Sequence, residues 1–208
     1  MAISSLSRFG VPLAGNQSPI NQGLLMPKLG YRFRVLFQGF GVSKPTTELT
    51  KQVISTARPS PTFEDITLDV YNSKIKLAGK PSWSDIDVVI RDDVNGAVSK
   101  LIGEQVQKQF DFYEQSSAAS GIDYKFSTRI ELLDGGNGAF NANVLETFEL
   151  DGCFLQKVAY KNVEYKSSDA LDITVTIRYD NAIQINGAGN PNGIGVNVGR
   201  TIRTLATG

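Results

Sequence analysis

The 208-residue chain has no histidine at all and a single cysteine, Cys153. These two absences remove most familiar chemistry. Serine–histidine and cysteine–histidine nucleophile systems are excluded, as are histidine-bearing zinc sites and a histidine pH switch. One cysteine allows neither an intrachain disulfide nor a cysteine metal cluster, and it reads as a small buried hydrophobe. Charge of one sign is also missing: 21 Lys plus Arg are balanced by 21 Asp plus Glu. A domain built to grip nucleic acid usually carries a clear basic excess, so tight binding of that kind is not expected. Nothing approaches about 18 consecutive apolar residues, and the N-terminus has no unbroken apolar core of a leader peptide. The expectation is a protein without a membrane anchor, made and folded in a cytoplasm.

What is present is ordinary globular material, 41% hydrophobic and 20% charged. That is enough for one core, since a domain commonly holds about 100–200 residues. Residues 1–27 show no period and read as an extended arm. Residues 31–38 (YRFRVLFQ) alternate as a strand, with Tyr31, Phe33, Val35 and Phe37 on one face. A second strand is expected near 52–56, ended by Pro59 and Pro61. Residues 63–77 read as two extended pieces around a turn at Asn72 and Ser73, with another turn over 78–81 and a strand over 83–90.

Val94, Val98, Leu101, Ile102, Val106, Phe110 and Tyr113 recur at spacings of three and four, predicting one amphipathic helix over 94–113. Asp92 and Asp93 stand where a helix N-terminus favours negative charge. Lys100, Glu104 and Lys108 fall on another face, expected to point into solvent. Alternation returns over 124–132, where Lys125, Ser127, Arg129 and Glu131 form the polar face. A flexible turn over 134–138 precedes a strand over 143–150, and 152–163 is irregular with strand character. Residues 171–179 are the cleanest strand, with Asp172, Thr174, Thr176 and Arg178 on the polar side. From 182 the pattern is lost. The fold class is mainly β, a sandwich or partial barrel of antiparallel strands with one amphipathic helix.

Two stretches invite a chemical reading. The Gly-rich tail 187–201 lacks G-x-x-x-x-G-K-[ST], and the run Gly193, Gly195, Gly199 misses the dinucleotide spacing. The acidic pairs Asp85/Asp87, Asp92/Asp93 and Asp169/Asp172 could hold a hard cation or act as acid and base, yet no Asp-x-Asp-x-Asp-Gly loop accompanies them. Solvated carboxylates beside a turn and a helix start are the simpler reading. No cofactor, metal or catalytic site is expected.

Residues 72–93 (NSKIKLAGKPSWSDIDVVIRDD), followed at once by an amphipathic helix, resemble the tail tube proteins of contractile-tailed bacteriophages. Residues 150–158 (LDGCFLQKV) and 171–180 (LDITVTIRYD) resemble that family's closing strands, and the likeness spans about residues 29–182. Related tubes occur in pyocins and type VI secretion. The resemblance implies a ring-forming fold with an arm (1–27), a tube domain (28–182) and a Gly/Asn-rich extension (183–208). It implies a structural virion protein of the tail, assembled in the host cytoplasm, whose six-membered rings stack into the inner tube. The partners implied are further copies of itself, the sheath, baseplate and tail terminator proteins, a tape measure protein in the lumen, and double-stranded DNA that passes without sequence-specific binding. It further implies ring stacking through 63–77 (Phe63, Ile66, Leu68, Val70, Tyr71, Ile75, Leu77). The polar faces named above become candidates for the lumen wall, and Lys100, Glu104 and Lys108 for the sheath side. The alternatives are the tube of a pyocin-like or type VI-like particle and, more remotely, a small β-sandwich enzyme or ligand-binding module using the acidic pairs.

Overall fold

In a computed structural model, residues 27–43, 46–134, 142–166 and 168–186 are described. In chain order the elements are β1 (Phe33–Gln38), α1 (Thr47–Gln52), β2 (Val53–Thr56), β3 (Pro61–Val70), β4 (Ser73–Trp83), β5 (Ile86–Arg91), α2 (Ala97–Gln109), β6 (Phe110–Asp111), β7 (Ser116–Ser117), α3 (Gly121–Tyr124), β8 (Phe126–Leu133), β9 (Val144–Tyr160), β10 (Asp172–Arg178) and β11 (Asn181–Asn186). The sheet runs β1-β8-β9-β10-β5-β2 with β11 also on β9, and every pairing is antiparallel. The mainly β class holds.

The backbone of the fold is a long bent ribbon. The last half of β9 pairs with β10, from Tyr160 opposite Ile173 to Phe154 opposite Arg178. Its first half pairs with β11, from Asp151 opposite Asn181 to Glu146 opposite Asn186. β10 and β11 are therefore one antiparallel pass along β9, with a register shift between Thr176 and Ile177 and a break at Tyr179 and Asp180. The interruption faces Gly152, whose φ of +68° is open to glycine and strained for any side chain. A Cβ there would stand 2.1 Å from an Asp180 carboxylate oxygen. On one side of this corner the ribbon carries β8 and β1; on the other it carries β5 and β2.

Alternation makes the core. Val35 and Phe37 of β1, Phe126 and Ile130 of β8, Phe148 and Leu150 of β9, Ile173, Val175 and Ile177 of β10, and Ile86, Val88 and Ile90 of β5 are all buried. Leu49 of α1 and Val98, Leu101 and Ile102 of α2 close over them in one cluster. Fully burying one such side chain contributes about 1.5–3 kcal/mol.

Several boundaries differ from the sequence expectation. The main helix begins only at Ala97, because its N-cap Gly96 sits at φ 68°, so Val94 lies outside it and is fully exposed. It ends at Gln109, since Phe110 is extended; Phe110 belongs to β6 and Tyr113 to the turn beyond. Tyr124 closes the short α3 rather than opening a strand. Residues 78–81 are not a turn but part of β4, where the register shifts opposite Phe63 and Asp65. The strand expected over 83–90 is divided: β4 ends at Trp83 and β5 starts at Ile86. The stretch from Gly152 is regular β9 as far as Tyr160, and β11 continues beyond residue 182. α1 had no counterpart in the sequence reading. The arm before residue 27, the glycines of the 134–138 turn and the 187–201 tail lie outside the described residues.

Candidate assembly surfaces

β3 and β4 form a two-stranded sheet of their own, off the main one. Ile66 opposite Leu77 and Leu68 opposite Ile75 place four aliphatic side chains on one face, with Val70 beyond them. The other face carries Asp65, Asp69, Lys74 and Lys76, joined as Lys74–Asp69 (3.5 Å) and Lys76–Asp65 (3.3 Å). None of the five aliphatic residues is covered: each is 46–48% exposed. Phe63 at the base and Tyr71 at the tip are exposed too. Near the base, a Cβ on Gly79 would come 2.9 Å from the Glu64 carbonyl oxygen, so the strands close up there only because position 79 has no side chain. The hairpin is anchored through Trp83, whose ring lies 5.8 Å from that of Tyr179 at the ribbon corner. Burial pushes the Tyr179 hydroxyl up to about 12.

The polar sides of the sheet are laced with cross-strand bonds. Thr176 donates to Asp87 (2.6 Å) and Arg178 to Asp85 (2.7 Å). Arg129 pairs with Glu149 (2.5 Å), and Lys125 with Asp180 (2.5 Å). Ser127 and Thr174 are half-buried, as is Asp172, whose Oδ1 is sealed without a hydrogen-bond partner. Lys125 caps α3 rather than sitting on β8. Glu131 departs from the expected exposed row: it is buried, accepting from Arg34 with Arg129 at 3.9 Å. Asp85, Asp87, Asp92 and Asp93 thus serve neighbouring side chains and backbone. Asp93 accepts from the Val98 amide (3.0 Å), which holds its carboxyl below the usual range, and Asp92 accepts from the Ser99 hydroxyl. Among the described residues no group of three or more Asp, Glu or Cys could hold a metal ion.

The helix face is a correction. Lys100 is exposed, but Glu104 and Lys108 do not point freely outward. Glu104 accepts from the Val42 amide (2.9 Å), the Ser43 amide (2.7 Å) and the Ser43 hydroxyl (2.6 Å). These bonds, the Ser43 hydroxyl foremost, lower its carboxyl to about 2. Lys108 donates to the Gly39 and Gly41 carbonyls at 3.2 Å, and buried Gln105 accepts from the Gly41 amide. α2 therefore clamps the turn after β1.

Sequence reasoning missed a set of exposed apolar residues where β5, β9 and β10 end. Tyr160, Val163, Tyr165 and Leu171 are exposed, and Val94 follows two residues after Asp92, whose amide donates to the Leu171 carbonyl (2.9 Å). The signal available was the lone run of aromatics and valine in an otherwise polar loop. Cys153 is buried, and burial raises its thiol to about 11.

The sequence matches no protein-family model and no curated protein. Solved structures do match the fold. A chain of the anti-feeding prophage baseplate aligns with TM-score 0.57 and 14% identity over 78% of this chain and 98% of that one. A chain of an extracellular contractile injection system, the PVC sheath-tube complex in its extended state, gives 0.54 and 15% over 77% and 92%. One from the PVC sheath/tube terminator gives 0.57 and 15% over 78% and 99%.

Proposed function

We infer the function from the fold, which this chain shares with these chains of contractile particles, as the resemblance to tail tube proteins implied. We propose that this chain is the tube subunit of a contractile tail, a structural protein and not an enzyme. Six copies close into a ring, rings stack into a tube inside a sheath, and baseplate and terminator components bound its ends. A tape measure protein and then double-stranded DNA occupy the lumen. The observation that carries this reading is the hairpin β3–β4, an amphipathic sheet that its own chain leaves half exposed within a fold common to contractile particles. Such a face is an aggregation hazard unless an assembly covers it. Among the described residues β1 and β2 are the ends of the main strand order, edges suited to pairing with neighbours in a ring.

Charge supports the DNA conduit. The candidate lumen cations Lys125, Arg129 and Arg178 each have a carboxylate partner, leaving little free positive charge to hold phosphates in passage. The matched chains come from an anti-feeding prophage and an extracellular injection system, which favours an injection particle as the second reading. Negative-stain microscopy of the purified protein tests the first claim: rings and tubes are expected, and dispersed monomers at high concentration overturn it. Particles purified with a DNA-filled head separate the phage tail from the injection particle, and rings that never elongate point to a terminator.

A further inference from the structure

We propose that residues 194–199 (IGVNVG) of the chain's own tail add a strand to the open edge of β2, seating Ile194, Val196 and Val198 in the cavity between the two ends of the sheet. This goes beyond the tube reading and concerns the single subunit. The cavity, of about 670 Å³, lies between β2 on one side and the start of β1 on the other. Phe33, Val53, Ile54, Ile130 and Leu132 line it, and Lys28 borders it. Ile130 is buried, but Phe33, Val53 and Leu132 are only half-buried and Ile54 is 40% exposed. At its other end the gap is bridged, because α1 runs straight into β2 and Thr46 before it donates to the Phe37 carbonyl (2.8 Å). An apolar cavity beside an unpaired strand edge suits strand addition: the edge supplies backbone partners and the cavity takes alternate side chains.

Where the tail leaves the sheet selects the occupant. β11 ends at Asn186 opposite Glu146, and Glu146 accepts from Lys28 (2.7 Å) at the cavity. From β9 to β1 is two strand spacings through β8, about 10 Å. Residues 187–193 lead from Asn186 to Ile194 and can span up to about 23 Å. The tail therefore reaches its own cavity, and so short a tether gives it an effective concentration of about millimolar, ahead of a second copy. Ile194, Val196 and Val198 alternate with Gly195, Asn197 and Gly199, so a strand here has one apolar face and one small or polar face. The segment carries no charge and Lys28 is already held by Glu146, so docking buries no lone charge. The arm before residue 27 starts from the same side, but Pro12 and Pro19 interrupt it and cannot donate to a ladder.

With the tail in place β2 is no longer the end of the sheet. The tail is, and a neighbour pairing at that edge meets residues 194–199. The matched chains cover 78% of this chain and nearly all of their own length, so this chain carries residues with no counterpart in them. A contact made by its tail is not dictated by the shared fold.

Buried Cys153 leaves introduced cysteines as the reactive thiols. The full-length Ile54→Cys/Val196→Cys protein is kept dilute, below the concentration at which copies associate, and treated with a short bis-maleimide. A cross-link within one chain is expected, found as the joined peptides in the monomer band, with far less from a Tyr165→Cys/Val196→Cys control. A cross-link confined to dimers gives the cavity to a second copy's tail and overturns the proposal, as does an equal yield from the control. A second measurement needs no thiol. In the wild-type chain the Val196 and Val198 amides should be protected from exchange, and Val196→Asp should lower that protection about tenfold or more while leaving β10 unchanged. Unprotected wild-type amides overturn the docking, and so does protection that survives Val196→Asp. Neither result bears on rings or tubes, which microscopy reads separately.

Discussion

Ile173, Val175 and Ile177 of β10 alternate with polar residues in the same way as Ile66, Leu68 and Val70 of β3. The first three are 0–1% exposed and the second three 46–47%. Strand chemistry is equal in the two places, and their surroundings differ. β10 lies between β9 and β5 with α2 and α1 over the core, whereas among the described residues β3 pairs with β4 alone. Alternation says which face of a strand wants cover; it does not say whether that cover belongs to the same chain. In β10 it is intramolecular, and in the hairpin we assign it to another subunit.

Breaking each face in turn should separate folding from assembly. Val175→Asp buries a carboxylate among aliphatic neighbours and should cost more than about 4 kcal/mol, leaving no folded protein by circular dichroism. Leu68→Asp should change unfolding free energy by less than about 1 kcal/mol, because its site is half solvated. The Leu68→Asp protein should nonetheless fail to form tubes. An unfolded Leu68→Asp subunit would show that the hairpin packs on its own chain.

The ribbon corner gives the next largest effect. Gly152→Ala meets both the positive φ and the Asp180 carboxylate, and should lose about 2–3 kcal/mol in denaturant unfolding. Adding Asp180→Ala should return only part of that loss. An unchanged midpoint for Gly152→Ala would mean that β9 is not bent there.

Smaller again is the α2 clamp. Glu104 is held at about 2, below its ordinary value, so its contribution is complete above the usual carboxylate range. It is lost as pH falls from that range toward 2. The protection factors of the Val42 and Ser43 amides should fall over that acid interval, and Glu104→Ala should lower them about tenfold at neutral pH, as for one lost charge-assisted hydrogen bond. Unaltered exchange would remove the clamp. Least of all, Lys76→Ala on the hairpin's charged side should change stability by under about 0.5 kcal/mol, since both partners are exposed. A larger loss would place the charged side, rather than the apolar one, at a contact.

Local signals were legible, and pairings across the chain were not. The β10 alternation and the stripe Val98, Leu101, Ile102 and Val106 could be read directly, because strand and helix periods are properties of neighbours in sequence. The stripe also took in Val94, since periodicity cannot detect that Gly96 adopts a left-handed conformation between Val94 and the helix. Gly152 looked like a break, yet it is the position that lets a 17-residue strand turn without ending. β11 was lost because Asn181 and Asn186 are poor strand formers and its partner lies some 35 residues upstream on β9. Glu104 read as a solvent partner for Lys100, but its main partner, Ser43, is 61 positions away. The exposed apolar residues fared likewise. The hairpin's strand formers stood out, whereas Val94, Tyr160, Tyr165 and Leu171 come together only through the β5, β9 and β10 ends.

The shared strand β9 has a mechanical meaning. In the tube proposed above, load would pass from ring to ring and would enter each subunit through the hairpin base at Trp83. Trp83 bears on Tyr179, beside the corner where Gly152 meets Asp180. From there β9 continues into both halves of the sheet, one continuous covalent chain flanked by β8, β10 and β11. Push along such a strand is resisted by many ladder hydrogen bonds at once, because those bonds lie across the direction of travel. Two sheets joined only by a loop would yield at the loop. Threaded by one strand, a subunit of the proposed tube would transmit thrust as a single stiff strut, with its compliance confined to the hairpin.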